Sequence, residues 1–180
     1  MKDLTEKTLA MRRGFEGRAL TLDIIDVELP GGRRTTREVI RHRGAAVILA
    51  RRPDGTFIFV RQYRKAVERT LLEVSAGCIE PGEPVDTCAV RELAEETGYR
   101  ALRIEKLGVI VPCAGYSEEL LHLYFAEVAQ EPESQNLDSD ENLEPILLSA
   151  EEIDRKIASG EICDGKSIAI WHLYLNRYRG

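Results

Sequence analysis

Residues 77–99 read GCIEPGEPVDTCAVRELAEETGY, from Gly77 to Tyr99. Pro84 can occupy the first turn of a helix, where its missing N–H costs nothing, and Gly98 stands where a helix ends in the left-handed conformation. The pattern predicts a helix from Pro84 through Thr97. At about 100° per residue, Glu92, Glu95 and Glu96 fall within an arc of roughly 100°, with Ala89, Val90, Leu93 and Ala94 expected on another side. Like charges at this spacing repel by about a few tenths of a kcal/mol per pair, and no lysine shares the arc. A hard divalent cation would reverse that sign. The alternative is a solvated acidic face with Arg91 paired to Glu95. Carboxylate oxygens with few protein partners suit magnesium, which completes its shell with water and substrate phosphates, so the expected substrate is phosphorylated.

Upstream of this stretch, Leu20 to Leu29 and Thr35 to Arg43 are strand-like runs around the turn residues Pro30-Gly31-Gly32, which predicts a hairpin. Gly44 to Ala50 and Thr56 to Gln62 flank Pro53-Asp54-Gly55, a second hairpin signal. Downstream, apolar strands are expected over Lys106 to Val111 and Leu120 to Val128, giving β-α-β order and a mostly antiparallel or mixed sheet. Gln130 to Glu144 is polar and acidic and reads as a solvated connector. Ser149-Ala150-Glu151-Glu152 resembles a capped helix start, ending by Gly160. A last helix is expected over Lys166 to Tyr178, with Ile168, Trp171, Leu175 and Tyr178 as a stripe for core or subunit contact.

The chain has 180 residues, 43% of them hydrophobic, which suits one compact unit. A net charge of −6 argues against binding a nucleic-acid backbone, which requires an excess of Lys and Arg. No apolar run approaches the roughly 20 residues of a membrane span, and the start of the chain has no apolar signal core. Cys78, Cys88, Cys113 and Cys163 lack metal-like spacing and read as reduced thiols, so a cytoplasmic location is expected. His42, His122 and His172 form no metal motif and are read as packing or surface residues.

Gly77, Glu83, Arg91, Glu92, Leu93, Glu95, Glu96 and Gly98 match the spacing of the Nudix box, and seven exact positions coincide by chance at roughly one in 10⁸ per window. The chain therefore resembles the Nudix hydrolases; Tyr99 stands at the last position, where an aliphatic residue is usual. The resemblance implies an α/β (α+β) Nudix fold, a mixed β-sheet sandwiched between helices with an N-terminal antiparallel hairpin region. It also implies Mg2+-dependent hydrolysis of a nucleoside diphosphate linked to another group, with manganese as the alternative ion. Glu92, Glu96 and the carbonyl of Ala76 would be metal ligands. Glu95 would be a third ligand or a water-orienting carboxylate, and Arg91 would hold the glutamates in place.

Beyond the box the chain is similar to the ADP-ribose pyrophosphatase branch through Val27-Glu28-Leu29-Pro30, Val60-Arg61-Gln62-Tyr63-Arg64, Leu72-Glu73-Val74-Ser75-Ala76-Gly77 and Gly160-Glu161-Ile162-Cys163-Asp164-Gly165-Lys166. By that resemblance Arg64 and Glu73 contact substrate. The loop Cys113-Ala114-Gly115-Tyr116-Ser117-Glu118-Glu119 supplies Glu119 as a catalytic carboxylate, with Glu118 its neighbour to test. Ala114 stands where the branch's marker proline is usual, and Pro112 lies two residues earlier, so GDP-mannose or another nucleotide sugar stays open as substrate beside ADP-ribose. Residues 1–43 are expected to form a β-rich segment for homodimerisation and substrate contact, and 44–180 the hydrolase domain. A noncatalytic nucleotide-binding module is the reading from another class, although its usual marks, a damaged box or an appended DNA-binding domain, are missing here.

Overall fold

A computed structural model describes residues 3–18, 20–137 and 141–178. The chain divides into two compact units, one of residues 1–44 with 111–120, the other of 45–110 with 121–180.

In the first unit, strands β1 (Lys7–Glu16), β2 (Thr21–Glu28) and β3 (Arg34–Arg41) form an antiparallel sheet in that order. The β2–β3 hairpin is the expected one: Gly31 and Gly32 turn the chain at φ +98° and +85°, a region that side-chain-bearing residues rarely adopt. β1 was not legible in the sequence, because all ten of its residues are exposed and no buried face imposes an alternation. Asp23 on β2 is 3% exposed and is matched by Arg13 and Arg41, each at 2.7 Å. Residues 116–118 lie along β3, with the Ile40 N–H donating to the Tyr116 carbonyl at 2.7 Å and the Glu118 N–H to the Ile40 carbonyl at 3.1 Å.

The second unit is built on a seven-stranded sheet of β4 (Ala45–Arg51), β5 (Phe57–Arg64), β6 (Arg69–Glu73), β7 (Ser75–Cys78), β8 (Ala101–Ile110), β9 (Leu121–Val128) and β10 (Leu143–Leu148). The main path runs β10-β5-β4-β9-β8, with β6 on β5 and β7 on β4. β4 and β9 are parallel, and the other named pairs are antiparallel. β4 is apolar from Ala45 to Ala50 because it is covered on both faces. Val47 and Leu49 pack with α2 (Ala150–Ala158) and α3 (Gly165–Tyr178) through Ile153, Ile170, Trp171 and Tyr174. Ala46, Ile48 and Ala50 pack with α1 (Val85–Thr97) through Cys88, Ala89 and Leu93. This is the expected mixed sheet between helices.

Three local expectations are corrected. Pro84 is the residue before α1 rather than part of its first turn, at φ −64° and ψ 138°. Of the expected α3 stripe, Trp171 is buried and Leu175 packs against the core, but the buried face is completed by Ser167, Ile170 and Tyr174, while Ile168 is 36% and Tyr178 39% exposed. Finally, the supposed connector 130–144 binds the end of α1. The Glu133 and Asn136 N–H groups donate to the carbonyls of Gly98 and Glu95 at 2.7 and 3.0 Å, and Gln135 Nε2 donates to the Glu96 carbonyl at 2.5 Å. These are carbonyls that a helix C-terminus leaves unpaired. The capping box at Ser149 and Glu152 forms as expected.

Candidate active site

The register of β7 on β4 places Ser75 opposite Ile48 and Gly77 opposite Ala46, so Ser75 and Gly77 share the sheet face on which α1 lies. Glu92 and Glu96 belong to the buried side of α1 together with Cys88, Ala89 and Leu93, whereas Val90 is exposed. The acidic and apolar arcs are therefore not separate: the two carboxylates sit at the middle of the buried arc, over β7. Glu92 is 8% and Glu96 3% exposed, which removes the reading of a solvated acidic face for these two. Gly77 is what admits Glu92, because a Cβ there would lie 1.8 Å from its Cδ.

Arg91 orders the other acidic groups. Its guanidinium donates to both oxygens of Glu83 at 2.8 and 2.9 Å, to Glu92 Oε1 at 2.8 Å and to Glu95 Oε2 at 2.9 Å. The expected Arg91–Glu95 pair is thus one arm of a four-residue cluster. The Arg91 hydrogen bonds, with the Glu80 N–H, hold the Glu83 carboxyl down at about 2, and the same carboxylates raise the Arg91 value. Glu96 behaves in the opposite way. Burial pushes its carboxyl up to about 7, with the Glu92 and Glu141 charges adding to the effect and the nearby Ser75 hydroxyl and the bond from the Ala76 N–H opposing it. Burial also raises Glu92, against Arg91.

Arg64 and Glu73 meet each other. Arg64 Nε and Nη2 donate to the two oxygens of Glu73, both at 2.8 Å, and Lys166 Nζ donates to Glu73 Oε2. Glu73 is 1% exposed and so is not the surface charge that its strand position also allowed. Burial pushes its carboxyl up, and the bonds from Arg64 and Lys166 outweigh this to leave it lowered. The Glu96 charge in turn acts on Arg64, which places the pair within electrostatic reach of the box.

In the first unit, Glu118 is occupied: it accepts from Arg41 Nη1 at 2.6 Å and from the His42 N–H at 3.2 Å. Glu119 lies 3.6 Å from His42 Nδ1, a nitrogen that also accepts from the Gly44 N–H at 3.0 Å.

Two residues without an assigned role come into view. Lys166 stood in a quoted motif, and only its contact with Glu73 gives it a place. Glu141 was hidden within an acidic run, yet its charge acts on both Glu92 and Glu96. Among the described residues, no three His, Cys, Asp or Glu side chains form a closed metal cage. Two buried carboxylates with raised proton affinities nevertheless fit a hard divalent ion that takes one or two protein carboxylates and keeps its other positions for water and phosphate.

The chain is 39% identical over 177 residues to the ADP-ribose pyrophosphatase of Bacillus subtilis (strain 168), covering 97% of this chain and 96% of that one. It is 37% identical over 172 residues to the methanol dehydrogenase activator of Bacillus methanolicus, covering 94% and 93%. A crystal structure of an ADP compounds hydrolase superposes with a TM-score of 0.86 at 23% identity, over 100% of this chain and 98% of that chain. The model of the NUDIX domain matches residues 40–168, a span that holds the β7–α1 carboxylates, Arg91 and the Arg64–Glu73 pair; the chain belongs to the NUDIX family.

Proposed function

We propose that this protein is a magnesium-dependent hydrolase that cleaves ADP-ribose to AMP and ribose 5-phosphate. The observation that carries the reading is the buried Glu92–Glu96 pair seated against Gly77, and the identity to the Bacillus subtilis enzyme selects the substrate. Glu92, Glu96 and the Ala76 carbonyl would hold the metal. When bound, the ion polarises phosphoryl oxygens and lowers the pKa of a water.

The protein's own groups do the rest. Arg91 fixes Glu92 and Glu95 in orientation, and Glu95, with one oxygen beyond the Arg91 bond, orients the attacking water. Arg64 Nη1, which makes no hydrogen bond among the described residues, takes a diphosphate oxygen, a role suited to a guanidinium. A carboxylate removes the water proton as oxygen bonds to phosphorus and the P–O–P link opens. Glu119 is the assignment from resemblance, and Glu141 is supported by its effect on Glu92 and Glu96. Comparing Glu119→Gln with Glu141→Gln decides between them: the true base loses orders of magnitude in kcat and its rival does not.

The test of substrate is a panel of ADP-ribose, GDP-mannose, UDP-glucose and dinucleoside diphosphates with magnesium or manganese. ADP-ribose is expected among the best by kcat/KM; preference for GDP-mannose would reassign the substrate and leave the chemistry. Tight ADP-ribose binding without metal-stimulated cleavage would point to the noncatalytic module instead.

We further propose a homodimer formed through the first sheet, since β1 has Leu9, Met11 and Phe15 exposed, and a cytoplasmic location, supported by four free cysteines. Among the described residues no helix is long and apolar enough to cross a membrane.

A further inference from the structure

Glu73 ends β6 almost fully buried, and a buried carboxylate is tolerated only when its oxygens are matched by donors. Arg64 matches both oxygens in a two-point fork, the geometry in which arginine binds carboxylate with the greatest directional control. Lys166 adds a second cation on Oε2, although a single bidentate arginine already balances the charge.

Lys166 is itself fixed. Its ammonium also donates to Asp164 Oδ2 at 3.0 Å. The same oxygen accepts from the Ser167 N–H at 3.0 Å and from Ser167 Oγ at 2.6 Å, while Ser167 Oγ accepts from the Val74 N–H at 2.9 Å. The chain of bonds thus returns to the residue after Glu73. Ser167 is 0% exposed, so this loop ties the start of α3 to the end of β6 with little freedom at any member. Arg64 is different: its side chain is 40% exposed, its Nη1 makes no hydrogen bond among the described residues, and it feels the Glu96 charge.

We propose that Lys166 is a positioning residue for diphosphate recognition: through the buried Glu73 carboxylate it fixes the plane of the Arg64 guanidinium, leaving Nη1 presented to substrate. Glu73 then serves as the intermediary between the two cations and not as a substrate ligand. The inference rests on the reading that Arg64 binds the diphosphate. Lysine suits the task because a compact ammonium can share Oε2 without competing for the two-point fork.

The experiment measures ADP-ribose kinetics for the full chain with magnesium in wild type, Lys166→Met, Lys166→Arg, Arg64→Ala and the double variant Arg64→Ala/Lys166→Met. Lys166→Met is expected to raise KM about tenfold with kcat within about threefold, Lys166→Arg, which restores the charge but competes for the fork, to recover only part of the loss, and Lys166→Met to add nothing in the Arg64→Ala background. An unchanged KM in Lys166→Met, or an equal loss in the Arg64→Ala background, would overturn the proposal, since Lys166 would then act independently of Arg64.

A readout that does not need turnover separates this from the functional reading. The Arg64 Nε–H resonance is expected to exchange slowly with solvent in wild type and at least about tenfold faster in Lys166→Met. If wild type cleaves none of the nucleotide sugars but this difference appears, the activity assignment fails and the positioning role stands; if no difference appears, the positioning role fails. Should Lys166→Met not fold, Asp164→Asn keeps the lysine charge and replaces its charged second anchor with a neutral amide oxygen. It is expected to raise both KM and the Arg64 exchange rate severalfold, and no change in either would overturn the proposal.

Discussion

Glu96 lies 3% exposed, its carboxyl pushed up by burial from 4.5 to about 7. A raised folded value favours the protonated native state, so the stability it contributes is fully present below about pH 4.5, falls as pH rises and is gone above about 7. At pH 8 in EDTA, Glu96→Gln is therefore expected to stabilise the protein by on the order of 3 kcal/mol, while turnover with magnesium falls at least about a hundredfold. Denaturation and steady-state kinetics read the two effects. A variant destabilised in EDTA, or active to within a few-fold, contradicts the assignment. Gly77→Ala is the complementary case: its Cβ would meet the Glu92 carboxylate at 1.8 Å, so metal affinity should drop at least about tenfold with secondary structure intact, as calorimetry and circular dichroism would report. The box residues were legible because their spacing is local. That Glu92 and Glu96 are buried was not, because helical periodicity places them beside Ala89 without saying what the helix packs against. The pairing of Arg64 with Glu73 and Lys166 needs three segments to meet, and no spacing within the chain encodes that.

At the level of elements, the last helix tests the corrected register. Trp171 is 3% exposed, edge-on to Phe57 at 5.1 Å, with its indole N–H donating to Asp154 at 2.7 Å. Trp171→Ala is expected to cost about 3–5 kcal/mol and Ile168→Ala within about 0.5 kcal/mol, measured by denaturant unfolding; equal losses would return the core to the sequence-derived stripe. α1, the hairpins and the Ser149 cap were readable from local chemistry. β10 was not, since Pro145 argues against a strand, and it is tolerated here because β10 is at the edge of the sheet, where an N–H can be spared. The clamp of residues 133–136 on α1 was hidden for a related reason: its donors are mostly backbone groups, which composition does not report.

Across the whole molecule, the proposed dimer makes the exposed strand β1 decisive. Met11 is 60% and Phe15 55% exposed. Met11→Glu/Phe15→Glu should shift the protein towards monomer in sedimentation at micromolar concentration; a wild type that sediments as a monomer, or a variant that remains dimeric, would exclude this surface. The mixed sheet was partly legible from turn signals and apolar runs, but strand order was not, because pairing across long separations leaves little local mark. That order sets the time at which a site can exist. β4 pairs in parallel with β9, Ala45 beside Leu121 and Arg51 beside Glu127, and parallel neighbours cannot be joined by a short hairpin. Every residue of the box lies within the excursion between those strands. A chain emerging from the ribosome therefore carries its glutamates out after β4 and β7, the strands on which they rest, but before β9, and contacts as distant as β4 with β9 form slowly. The carboxylates proposed to hold the ion are therefore made before the sheet around them can be completed.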